Sequence, residues 1–103
     1  MAKYLFVYHG GGMPDTPEQQ AEEMAAWGKW FETMVPAIVD GGNPVGPSTT
    51  VFARRVEENG GANPASGYSL IAAASLEEAI AHAKGCPVLK GGGSVEVAET
   101  FDP

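Results

Sequence analysis

The run Lys3-Tyr4-Leu5-Phe6-Val7-Tyr8-His9, cut off by Gly10-Gly11-Gly12, constrains this chain more than any other segment. Its β-branched and aromatic residues favour extended backbone, and the glycines end the strand abruptly. Side chains alternate across a strand, so Tyr4, Phe6 and Tyr8 share one face while Leu5, Val7 and His9 share the other. Both faces are largely apolar, so both need cover. The remainder of the 103 residues, or a second copy, has to provide it.

Two helices are predicted. Thr16-Pro17-Glu18-Gln19 is a capping box with proline at the first helical position. Met24, Trp27, Phe31 and Met34 follow at helical spacing, with Gly28 beside that stripe to admit another element and Trp30 lying off it. Pro36 ends or kinks the helix. Ser75-Leu76-Glu77-Glu78 opens the second helix, whose apolar face is Leu76, Ala79, Ile80 and Ala83, with Gly85 as its cap and Pro87 beyond. Strands are predicted at Ala37–Asp40, Thr49–Val56, Tyr68–Ala73 and Ser94–Glu99. The segment Glu57 to Ser66, with Asn59-Gly60-Gly61 and Asn63-Pro64, reads as a long hairpin connection.

With the extra strand at Thr49–Val56 removed, the order is βαββαβ, the ferredoxin-like split arrangement of an α+β domain spanning residues 1–103. Two helices cover only one face of such a sheet. The economical solution packs the bare face on a second copy, giving a sheet-on-sheet homodimer.

Charge narrows the partners. Thirteen Asp and Glu against six Lys and Arg give −7, and the basic residues are scattered. Nucleic acid and anionic membrane surfaces are therefore not expected partners. A single cysteine, Cys86, gives no internal disulfide, and the apolar stretch Tyr4–Tyr8 is too short for a signal peptide or membrane span, so the expectation is a cytoplasmic protein.

Five segments together resemble the YCII-related family. They are the opening Lys3–Tyr8 with its glycines, Met24-Ala25-Ala26-Trp27-Gly28, Ala37–Pro44, Gly67-Tyr68-Ser69-Leu70-Ile71, and Ala83–Pro87 with Gly91–Val97. The resemblance implies a dimeric α+β barrel whose relatives include small decarboxylating, isomerising and oxygenating enzymes, alongside members with no assigned activity. Many members carry Asp-Gly-Pro-Phe in the hairpin region, where this chain has Gly60-Gly61-Ala62-Asn63-Pro64. Some members place a catalytic histidine on the first helix; residues 17–35 here contain none.

The chain's own residues offer other candidates. His9, at the end of a central strand, is placed to act as a base or donor at the mouth of a cleft, with Asp40 as its orienting carboxylate. Asn43, Ser48 and Tyr68 are candidate polar contacts for a small organic ligand. His9-Gly10-Gly11-Gly12 resembles an esterase oxyanion loop, but no Gly-x-Ser-x-Gly elbow accompanies it. Cys86 reads as a packed thiol, His82 as a solvent-facing residue of the last helical turn, and Arg54 and Arg55 as strand residues on opposite faces. One cysteine and two separated histidines give no metal-ligand spacing, and no cofactor motif is present. Two functions remain open: cofactor-free acid–base catalysis on a small molecule, or a non-catalytic binding or interaction module.

Overall fold

The structure, a computed structural model, describes residues 1–11, 15–58, 61 and 63–103. Gly12 of the first triple glycine and Asn59, Gly60 and Ala62 of the long connection lie outside the described residues.

The fold is mixed α+β. Strand β1 (Ala2–His9) leads into helix α1 (Pro17–Thr33), a 3-10 turn at Val35–Ala37 and strand β2 (Ile38–Asp40). Strands β3 (Thr49–Val51) and β4 (Val56–Glu58) follow, then β5 (Ala65–Ala73), helix α2 (Leu76–Ala83), a second 3-10 turn at Pro87–Gly91 and strand β6 (Ser94–Glu99). A four-stranded sheet runs β2-β5-β1-β6 with antiparallel neighbours, and β3 and β4 form a separate two-stranded sheet. Both predicted caps form: Thr16 Oγ1 accepts from the Gln19 N–H and Ser75 Oγ from the Glu78 N–H, each at 3.1 Å.

Register divides the sheet into two unlike faces. Tyr4, Phe6 and Tyr8 of β1 stand beside Ile71 and Ser69 of β5 and Val95 and Val97 of β6. This is the covered face: Trp30 and Met34 from α1, Ala79 and Ala83 from α2, and Cys86 and Val88 close over it. Leu5 and Val7, with their neighbours Leu70, Tyr68, Ala98 and Glu96, point the other way, and none of these joins the buried core. The shortest dimension of the chain, 19 Å, accommodates a helix layer on a sheet and no third layer.

Four sequence expectations need correction. The stripe that meets the core is Trp30 of α1 and Met34 just after it, both buried, with half-buried Trp27 and Phe31, while Met24 is exposed. Trp30 is thus central: its Nε1–H donates to the His82 carbonyl at 2.9 Å, tying α1 to the end of α2. The two stripes share three residues, and the docking site at the C-terminal half of α1 decides between them. Second, Gly28 admits no neighbouring element. Third, Thr49–Val56 is not one strand. The chain reverses at Ala53-Arg54, where the Phe52 N–H donates to the Arg55 carbonyl at 2.8 Å and Val51 pairs with Val56. Arg54 and Arg55 are consequently turn residues, and the Arg55 guanidinium sits 4.0 Å over the Phe52 ring. In α2 the small residues Ala79 and Ala83 meet the sheet, leaving Leu76 and Ile80 exposed.

Glycine is required where β1 meets the chain entering β6. Gly10 and Gly11 both have positive φ, and a Cβ on Gly93 would run into the His9 carbonyl oxygen and lie 2.6 Å from Val88 Cγ2. Gly93→Ala should therefore lower stability by about 1–3 kcal/mol, the usual range for forcing atoms into a packed site. Gly28→Ala, in an open helical position, should raise it by about 1 kcal/mol. Urea denaturation followed by tryptophan fluorescence reads both, and opposite signs are the expected outcome.

Candidate functional site

His9 is 8% exposed, and both its ring nitrogens are engaged. Nε2 lies 2.9 Å from Glu96 Oε1, and Nδ1 lies 3.2 Å from the Pro64 carbonyl oxygen. Strand pairing explains the first contact. Glu96 stands opposite Val7 and Ser94 opposite His9, so Glu96 shares the Leu5–Val7–His9 face on the adjacent strand. The second contact reaches into the segment leading from β4 to β5. A carbonyl can only accept, so Nδ1 donates there, and an ionised Glu96 also accepts.

Asp40 does not orient His9. It pairs with Leu70, which pairs with Leu5, two strands across and four residues along from His9. That offset puts the two residues on the order of 16 Å apart. The Asp40 carboxylate instead accepts from the Gly42 N–H at 2.8 Å, closing a turn. The carboxylate beside His9 is Glu96, which the sequence reading missed. Its signal was faint: Val95-Glu96-Val97 alternates like any half-wet strand, and only the register with β1 brings the carboxylate to the imidazole.

The ligand candidates separate into two places. Asn43 Nδ2 donates to the Tyr68 hydroxyl at 3.4 Å, and the Asn43 carbonyl accepts from the Tyr68 N–H, so this pair belongs to the open sheet face. Ser48 lines a different feature, a shallow cleft of about 290 Å³ formed with Gly10, Val45, Pro47, Pro64 and Ser66. The cleft adjoins His9 through Gly10 and Pro64, but neither the imidazole nor Glu96 lines it. Its walls are valine, prolines, glycines and serine hydroxyls, with no ionisable side chain.

A second polar element is buried on the covered face. Tyr8 donates to Ser69 Oγ at 2.7 Å, and Ser69 donates to the Gly41 carbonyl at 2.7 Å. The relay pins the end of β2 to the core. Burial pushes the Tyr8 phenol up to about 12, the Ser69 hydrogen bond opposing the rise. Cys86 is buried as expected, and desolvation pushes its thiol up to about 11. His82 is partly exposed, 3.9 Å from Glu78 one helical turn back. Among the described residues no three His, Cys, Asp or Glu side chains gather as a metal site, and no helix is long and apolar enough to cross a membrane.

Fold and site define a small α+β protein with one bare sheet face and a buried imidazole clamped between two acceptors. Compared with protein-family models and with curated proteins, the chain matches none.

The buried thiol and phenol set a pH dependence. Both groups have raised values in the folded chain, so the unfolded chain ionises first. Their contribution to stability is intact below pH 9 and is lost as pH rises, between 9.0 and about 11 for Cys86 and between 10.0 and about 12 for Tyr8. Urea midpoints should be level from pH 7 to 8.5 and fall steadily above pH 9. Cys86 should resist iodoacetamide at pH 7.5 until the chain unfolds, and rapid native labelling would show an accessible thiolate instead.

Proposed function

We propose that this chain is a YCII-related binding protein that acts as a homodimer and takes a small organic molecule without transforming it. One observation carries the reading: among the described residues no helix lies over the open face bearing Leu5, Val7, Leu70 and Ala72, although its central residues are apolar. Connectivity supports the architecture. With the β3–β4 hairpin set aside, the elements run βαββαβ, and the antiparallel order β2-β5-β1-β6 is that expected of a ferredoxin-like sheet. Two such sheets packed face to face make the dimeric α+β barrel that the family resemblance implies.

Binding is favoured over catalysis by the state of His9. A general base must present a lone pair to its substrate. Here one nitrogen is held by a carbonyl and the other by a carboxylate, and the cleft beside them offers only hydroxyls, backbone and apolar surface. That lining suits an uncharged, weakly polar molecule. The net charge of −7 disfavours nucleic acid and anionic membrane as partners.

Native mass spectrometry of the purified protein tests both halves. The expected species is twice 10.7 kDa carrying a retained small-molecule mass. Val7→Lys, which places an ammonium on the open face, should shift the population to folded monomer. A wild-type monomer at micromolar concentration would remove the barrel, and substrate turnover abolished in a folded His9→Ala protein would replace binding with catalysis.

A further inference from the structure

We infer that the β3–β4 hairpin is a dimerisation arm, its Val51/Val56 face and Arg54 tip seated on a second copy of this chain. The inference rests on the homodimer proposed above and adds a second contact surface to it.

The hairpin is anomalous as part of a single chain. It consists of three paired positions, Thr49–Glu58, Thr50–Glu57 and Val51–Val56, and its packing is mainly between its own strands. An isolated two-stranded hairpin is marginally stable in water. Val51 and Val56, directly opposite each other, are nevertheless 75% and 60% exposed, and Phe52 beside them is exposed as well. Two β-branched residues paired across strands form a ready contact surface. The chain is less compact than usual for its length, with a radius of gyration of 14.7 Å against about 13 Å.

A stable interface covers about 800 Å² of accessible surface per partner, and an arm reaching around the edge of the open sheet face adds apolar contact from the same chain. Two-fold symmetry doubles the effect, because each copy both extends an arm and receives one.

Charge selects a copy of this chain over a generic apolar surface. The arm is neutral, Arg54 and Arg55 balancing Glu57 and Glu58, so the whole −7 lies on the rest of the chain. Arg55 is paired within the arm, 3.1 Å from Glu57 Oε1. Arg54, at the exposed turn, has no ion-pair or hydrogen-bond partner among the described residues. The outer strand β6 carries exposed Glu96 and Glu99, and the Glu96 side chain is 66% exposed despite its contact with His9. An unpaired cation on a projecting arm and an acidic outer strand are complementary between copies.

Sedimentation equilibrium on the full chain tests the arm. Val51→Lys combined with Val56→Lys alters two exposed positions and should weaken the dimer Kd by about tenfold or more, with the circular dichroism spectrum unchanged. Arg54→Glu, at the solvent-exposed turn, provides an independent variant if the double substitution disturbs the hairpin. It should weaken the dimer and flatten the loss of affinity that wild type shows between roughly 0.05 and 0.5 M salt. A dimer that Val7→Lys disrupts but both arm variants leave at the wild-type Kd overturns the arm and spares the sheet-face dimer. A wild-type monomer throughout overturns both.

Discussion

Strand β1 carries apolar side chains on both faces at the centre of the sheet, and the rest of the structure is arranged around that demand. One face is answered within the chain. Tyr4, Phe6 and Tyr8 fix where α1 and α2 lie, and the tryptophans of α1 pack edge-on against Tyr8, with ring centroids 4.9 Å away for Trp27 and 6.1 Å for Trp30. Apolar burial of this kind contributes about 25 cal/mol for each Å² removed from water, so three buried aromatics from one strand dominate the local energetics. Among the described residues no second pair of helices receives the other face. The helix layer lies on one side of the sheet only, and the chain's flatness, 19 Å in its shortest dimension, follows from that.

The ends of β1 show how the demand is met without strain. After His9 the chain must leave the sheet while β6 enters beside it, and the two backbones nearly touch. Gly10 and Gly11 turn through positive φ, and Gly93 backs directly onto the His9 carbonyl. The described glycines of the two triple-glycine stretches, the first of which resembles an esterase oxyanion loop in sequence, thus meet each other. They serve close approach and turning. His9 closes the same junction from the side chain outward, linking β1, β6 and the segment after β4 through Glu96 and Pro64.

Local signals made most elements legible in the sequence. Capping boxes at Thr16 and Ser75 mark helix starts whatever the tertiary context, and alternation in Tyr4–Tyr8 separates the covered face from the open one. What escaped depends on contacts distant in sequence. Trp30 was misplaced because periodicity fixes a stripe only to within one flank, while its indole finds the His82 carbonyl 52 residues away. The turn at Ala53-Arg54 lacks glycine, proline and asparagine, so propensity carried a strand straight through it. Asp40 was paired with His9 because both end strands, but strand order places β5 between them and register carries Asp40 toward the opposite end of β1. Glu96 was passed over for the converse reason, since its partner is 87 residues away in the chain.

The chemistry of His9 follows from the same geometry. Imidazole suits catalysis because it holds one proton and offers one lone pair near neutral pH. A protein that uses it so leaves one nitrogen facing substrate and spends the other on an orienting acceptor. Here two acceptors of this chain claim both nitrogens, and an imidazole held between a carboxylate and a carbonyl is a clasp. It sits near the root of the hairpin, where the chain returns from β4 through Pro64 to β5, and it fastens that return to the strand that organises the core. The residue that in sequence most resembles a catalytic base thus ties, in the structure, the hairpin's return to the sheet.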